Sequence, residues 1–230
     1  MLAAGHLPEE VVAATKGRGL RFGVVTDSHF ASREKSGTRY YADSREKMRQ
    51  AVADFNRSKL DFIIELGDMK DMSVDGSALL TLGYLDDIES IFKSFNGPSY
   101  HVLGNHDMDC LTKDEFLAHT FNPQRARGKA HYSFVEDGVR FIVLDANYKA
   151  DGEPYSRGNF DWREALIPES QIEWLDGELA AHRKQPTIIL LHQMLDSFSD
   201  ISPNLCVNNA ERVVEVLERH SQVLAVVQGH

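Results

Sequence analysis

Short apolar runs that stop abruptly at Gly, Asp, Asn or His recur along the chain, and stretches of helical periodicity lie between most of them. Arg21 to Thr26 is a β-rich run that ends at Asp27. From Ser44 the apolar residues Met48, Ala51, Val52 and Phe55 recur at helical spacing, with Asp43 or Ser44 available as the N-cap. Leu60 to Leu66 reads as the next strand and runs into Gly67-Asp68. Ser77 to Phe95 predicts a helix with Leu80, Tyr84, Ile88, Ile91 and Phe92 on its inner face. After Gly97-Pro98, the run Ser99 to Leu103 reaches Gly104-Asn105-His106-Asp107. Thr112 to Glu115 has the form of a capping box and opens a short helix.

The rhythm then changes. His131 to Glu136 and Val139 to Asp145 are joined by Asp137-Gly138, the strongest local hairpin signal in the chain. Pro168 opens a helix through Ile172, Leu175 and Leu179, and Thr187 to Leu191 ends at His192. Asn209 to His220 is helical, and Val223 to Val227 leads to Gly229-His230. Residues 146–167 and 193–207 are long loops, which in a compact domain are usually functional or mobile. In open α/β sheets the ligand sits beyond the carboxyl ends of the strands. Asp27, Asp68, Asn105, His192 and His230 each follow directly on a predicted strand.

A chain of 230 residues can enclose a fully buried sheet in one α/β domain. Its formal net charge of −10 opposes a sequence-independent grip on DNA or RNA, which needs clustered Lys and Arg. An acidic protein that handles phosphates must supply positive charge locally, and bound metal ions do so most strongly. Cys110 and Cys206 are too far apart for a zinc knuckle and read as free thiols. No signal-peptide core lies in residues 1–20, and no stretch of 18 apolar residues exists to span a bilayer. A cytoplasmic protein is expected, or a secreted or periplasmic one if a leader was removed.

Taken singly, each strand-end residue reads as a turn or a hydrogen-bonded structural group. Five strand ends in succession, however, deliver a carboxylate with an imidazole, a carboxylate, an amide with an imidazole, and two single imidazoles. That donor set suits Mn, Fe(II), Zn, Co or Ni, and is a poor match for a thiolate site or an all-oxygen calcium cage. One carboxylate can bridge two such ions.

Asp27-Ser28-His29, Gly67-Asp68, Gly104-Asn105-His106-Asp107, His192 and Gly229-His230 together resemble the signature of the calcineurin-like metallophosphoesterase superfamily. Gly-Asn-His-Asp after an apolar strand is the most specific piece. The resemblance implies a four-layer α/β/β/α sandwich of two mixed sheets and a centre of two divalent ions, manganese favoured over Fe, Zn or Co. By the same resemblance Asp27 and His29 hold one ion, Asp68 bridges, and Asn105, His192 and His230 hold the other. His106 would contact the phosphate and protonate the leaving oxygen, Asp107 would orient it, and a two-metal-activated hydroxide would attack phosphorus. The family's last motif runs Gly-His-x-His, and the sequence given ends at His230. The expectation is therefore a single domain over 1–230, truncated at that motif, with a weaker ion at Asp27 and His29.

Arg39-Tyr40-Tyr41 and the helix with Gln171, Trp174 and Leu175 resemble the manganese-dependent ADP-ribose/CDP-alcohol diphosphatase branch. Arg39 is a candidate to pair with a phosphate, and Tyr40 or Tyr41 to stack on a base or ribose; packed loop anchors are the alternative. Lys70 and Asp71 read as solvated loop charges, with support of the site as the alternative. Tyr148, Tyr155 and Trp162 read as packing anchors in the long loop. His6, His101, His119, His131, His182 and His220 fall outside the strand-end pattern and read as structural or surface residues. The expected activity is hydrolysis of a phosphoester or pyrophosphate bond in a small nucleotide-like or phosphorylated metabolite. Protein phosphatase or nuclease activity is the alternative within the superfamily, and a non-catalytic metal-binding scaffold the alternative outside it. A scaffold has no need of a leaving-group acid at His106.

Overall fold

The computed structural model describes residues 19–196 and 205–230. The expectations for the first residues, His6 included, and for part of the 193–207 loop lie outside them. Three strands, β1 (Phe22–Val25), β2 (Phe62–Glu65) and β3 (Ser99–His101), form a parallel sheet in that order. A second sheet runs β4 (Tyr132–Glu136), β5 (Val139–Val143), β6 (Thr187–Leu191), β7 (Val223–Gln228). Its first pair is antiparallel and the others parallel, so mixed pairing is confined to this sheet among the described residues. Asp137 and Gly138 both take positive φ, the conformation a two-residue hairpin of this twist requires.

The layers follow from the two-residue period of the strands. On β2 all four residues are buried. Phe62 and Ile64, continued by Leu66, face the second sheet, where they meet Phe134, Phe141, Val143 and Leu190. Ile63 faces the other way, into a core with Val52, Leu85, Ile88 and Phe92. The second sheet splits likewise: Ile142, Ile189 and Leu191 point outward to Ile172, Leu175, Val213 and Val216. Helices α1 (Ser44–Ser58), α2 (Ala78–Phe92) and the short α3 (Lys113–His119) thus cover the first sheet, and α4 (Glu169–Ala181) with α5 (Ala210–Glu218) the second. The result is the four-layer sandwich. Phe62 anchors its centre, with the rings of Phe22, Tyr100, Phe134 and Phe141 all 5.0–5.7 Å away.

Helix ends obey their local chemistry. Thr112 Oγ1 accepts from Glu115 N and Glu115 Oε2 from Thr112 N, completing the capping box that opens α3. Ser77 caps α2 through Leu80 N. The inner face of α2 differs from expectation: Leu80 is 49% exposed, and Thr81, Leu85 and Glu89 are buried with Ile88, Ile91 and Phe92. Glu89 lies inside because His101 Nε2 is 2.8 Å away and Phe121 N donates to it. A polar residue with buried partners turns the helix about its axis, and hydrophobic spacing alone does not register it. His101, His119, His182 and His220 are hydrogen-bonded within the fold, and His131 packs on Trp174, in keeping with structural roles.

Candidate metal centre

The strand ends meet because their loops are bonded to one another through the backbone. Asp27 N donates to Gly67 O, His29 N to Asp68 O and Phe30 N to Met69 O, so the first two motif loops run side by side. Asp27, His29 and Asp68 all have positive φ (54°, 44° and 59°), conformations that cost free energy in non-glycine residues and persist where the surroundings impose them. Gly104 is required by contact: a Cβ there would lie 2.1 Å from Asp68 N. The third loop therefore packs backbone against backbone on the second.

These loops converge on Asp68, which is buried. His192 Nε2 is 3.2 Å from Asp68 Oδ2, and His29 Nε2 is 3.6 Å from both Asp68 Oδ2 and Asp27 Oδ1. His230 Nδ1 lies 3.1 Å from His192 Nε2, and His230 N donates to Asp27 Oδ2. Two groups of donors able to surround an ion share Asp68: one is His29, Asp68 and His106, the other Asp68, His192 and His230. In His192 and His29 the second ring nitrogen is occupied, His192 Nδ1 by Leu66 O and His29 Nδ1 by Asp71, both at 2.8 Å. That arrangement turns Nε2 toward the shared carboxylate.

The residues fit divalent ions on independent grounds. Among the described residues, both side-chain amide atoms of Asn105 and Nε2 of His230 are buried and have no hydrogen-bond partner. Buried polar atoms without partners are rare and costly, and a bound divalent ion would satisfy the Asn105 amide oxygen. The charges agree. Burial disfavours a charged His192, but neighbouring Asp68 outweighs it and raises the pKa to about 9. Burial likewise opposes charge on His29, while Asp27 and Asp71 raise it to about 9. His230 is pushed down to about 4 by burial and by His192. The carboxylates thus draw positive charge into the cluster, where bound cations would replace protons.

His106 stands beside this centre but is held differently than expected. Asp107, expected to orient it, accepts three backbone N–H groups, from Asp68, Met69 and Gly104. Its position in the turn His106–Met108 aims it at the loop backbone and away from the imidazole. Asp71 takes the expected role, with Oδ1 3.0 Å from His106 Nδ1. Asp71 and Lys70 are both buried, contrary to their reading as solvated charges, because Arg33 pairs with Asp71, and Lys70 with Asp109. The group Asp71, His106 and Asp109 is a third set of donors within reach of one ion, but those two cations already neutralise it.

Arg39 is at the site: both terminal nitrogens lie 3.3 Å from His106 Nε2. Tyr41 is buried under the Arg33 guanidinium and is a packing anchor. Tyr40 is 47% exposed and lines a cleft of about 340 Å³ together with Asp27, His29, Thr38, Arg39 and Lys47. Of the long-loop aromatics, Tyr155 is buried with its hydroxyl on the Asp161 and Glu164 carbonyls, Tyr148 stacks on Lys113, and Trp162 is exposed. Phe160, which carried no signal in sequence, packs against the His106 ring at 5.2 Å. Gln171 is structural, bonding both polar backbone groups of Asp145.

A family model described as calcineurin-like phosphoesterase matches residues 20–230. The chain belongs to that family. It is accordingly a metal-dependent hydrolase of phosphoester or pyrophosphate bonds that works with divalent ions. It is 27% identical over 250 residues to a manganese-dependent ADP-ribose/CDP-alcohol diphosphatase of Arabidopsis thaliana, covering 91% of this chain and 78% of the relative. The protein of the same description from Danio rerio is 22% identical and covers 91% of this chain and 80% of its own. A solved dimetal phosphatase from Danio rerio superposes with a TM-score of 0.74 at 21% identity, covering 92% of this chain and 81% of that one. This last likeness shows the shared sandwich. Among the described residues no helix is long and apolar enough to cross a membrane.

Proposed function

We propose that the enzyme cleaves the pyrophosphate or phosphodiester linkage of a small nucleotide-like metabolite, with manganese as the favoured ion. Asp27, His29 and Asp68 hold one ion, and Asp68, Asn105, His192 and His230 the other. The observation that carries this reading is Asp68 itself, whose Oδ2 lies 3.6 Å from His29 Nε2 and 3.2 Å from His192 Nε2. Bound divalent ions at these positions would neutralise phosphoryl oxygens and lower the pKa of a water molecule near phosphorus.

The chain's own side chains supply the rest. His106 has Nδ1 fixed on Asp71, and its Nε2, which Arg39 faces at 3.3 Å, protonates the departing oxygen once Arg39 turns to the phosphate. Arg39, beside that nitrogen, pairs with a phosphate oxygen once substrate enters. Tyr40 and Lys47 line the cleft leading away from Asp27 and His29, where an aromatic base and a further phosphate would find a stacking face and a positive charge. With a net charge of −10 the protein handles free metabolites in preference to nucleic acid. Cys110 and Cys206 are free, which suits a cytoplasmic setting.

The discriminating experiment is a substrate panel on the manganese-loaded protein: ADP-ribose, a CDP-alcohol, a 3′,5′-cyclic nucleotide and p-nitrophenyl phosphate. Hydrolysis of the first two with the highest kcat/KM supports the reading. Preference for the cyclic nucleotide would favour a second one, because the chain is also 26% identical over 175 residues to a 3′,5′-cyclic-nucleotide phosphodiesterase of Nostoc. Preference for the simple monoester would contradict both.

A further inference from the structure

Lys70 is fully enclosed and donates to two groups, Asp109 Oδ1 at 2.5 Å and the backbone carbonyl of His106 at 2.6 Å. The amide of His106 donates to Asp68 Oδ1 at 2.7 Å. Both backbone polar groups of His106 are therefore held by residues 68–70, and its ring by Asp71. Asp109 extends the tie in the other direction, accepting from Met72 N at 2.7 Å. A buried ion pair is a weak source of stability, since packed apolar side chains of the same volume often do as well or better. What it supplies here is geometry: the carbonyl of His106 accepts from Asp109 N within its own turn, and the Lys70 ammonium ties the same oxygen to the second motif loop.

We propose that Lys70, paired with Asp109, is a positioning residue for His106, fixing the turn His106–Met108 so that the imidazole reaches the leaving oxygen. The inference rests on the acid role of His106 argued above. Asp107 holds the same turn from beneath through Asp68 N, Met69 N and Gly104 N, so the loop keeps its place when Lys70 is replaced. Loss of Lys70 removes the tie between the His106 carbonyl and the second motif loop, while the His106 amide stays on Asp68 Oδ1 and the carbonyl on Asp109 N.

The test uses Lys70→Met/Asp109→Asn in the manganese-loaded protein, a change that leaves no unpaired buried charge and retains an acceptor for Met72 N. kcat, KM, metal content and melting temperature are measured with nitrophenyl and alkyl leaving groups, in wild-type and His106→Asn backgrounds. The expected result is a kcat loss of about tenfold or more on the alkyl substrate and under about threefold on the nitrophenyl one. Metal content stays within about twofold, and no further loss occurs in the His106→Asn background, as befits two residues acting as one unit. An equal loss on every leaving group, an undiminished kcat, or a full additional loss without His106 would overturn the proposal. Should the double variant not accumulate, Lys70→Gln gives the same readout, its shorter amide still meeting Asp109 but not the His106 carbonyl. If His106→Asn alone costs nothing, the acid role fails; if it is costly and the Lys70 variants are not, only this inference fails.

Discussion

Asp71 Oδ1 stands 3.0 Å from Nδ1 of His106, and the same oxygen lies 2.8 Å from Nδ1 of His29. One carboxylate thus sets the orientation of a candidate metal ligand and of the candidate acid together. Its pKa is held well below the usual carboxylate range: burial opposes this, but the hydrogen bonds from His106 and His29 prevail. Asp71→Asn is expected to lower manganese affinity by about 10- to 100-fold, the usual cost of losing a ligand's supporting partner, and to lower kcat even at saturating metal. A metal titration followed by kinetics at each plateau checks both parts. Unchanged affinity would separate Asp71 from His29.

His106→Asn is expected to retain its metals and to lose about 10² to 10⁴ in kcat on substrates with poor leaving groups. With p-nitrophenol as leaving group the loss shrinks, because that oxygen departs without a proton. Equal losses on all substrates would make His106 a phosphate-positioning residue instead.

A stability experiment addresses the buried pair of His101 and Glu89, 2.8 Å apart. Burial alone would lower the His101 pKa, but the Glu89 carboxylate outweighs it and raises the value above the ordinary 6.5. A raised folded-state pKa gives stability that is fully present below about 6.5 and is lost as pH climbs through the folded value. Glu89→Gln should therefore destabilise most near pH 6, by ~3 kcal/mol, and less as the pH is raised from there. Melting temperatures of both proteins across that range give the result. A difference that grows with pH would reverse the assignment.

Much of the fold could be read from the chain because each apolar run ends at a residue whose type is unusual there. The hairpin at Asp137-Gly138, the capping box at Thr112 and the strand-end donors all rest on local chemistry, and local chemistry survives folding. What escaped depends on direction. Asp107 adjoins His106 in sequence and Asp71 lies in a different loop, yet the turn after Asn105 aims Asp107 at backbone amides and leaves the ring to Asp71. Lys70 looked solvated because a lysine between acids usually is; its burial depends on Asp109, 39 residues away. Phe160 sits in a loop with no periodicity, so nothing in its neighbours announced the contact with His106. Apolar spacing alone puts Leu80 inside, because it carries no sign that Glu89 is buried.

The central claim is that Asp68 belongs to both ion sites, and metal analysis of Asp68→Ala beside the wild-type protein tests it most directly. Both proteins are loaded with manganese, passed over a desalting column, and assayed for bound metal and for hydrolysis of a pyrophosphate-linked substrate. The expected outcome is that the variant retains its fold by circular dichroism, loses ions from both sites, and falls by at least about 10³ in kcat/KM, since the groups that remain lack their shared ligand. Full metal content with full activity in Asp68→Ala would contradict the account.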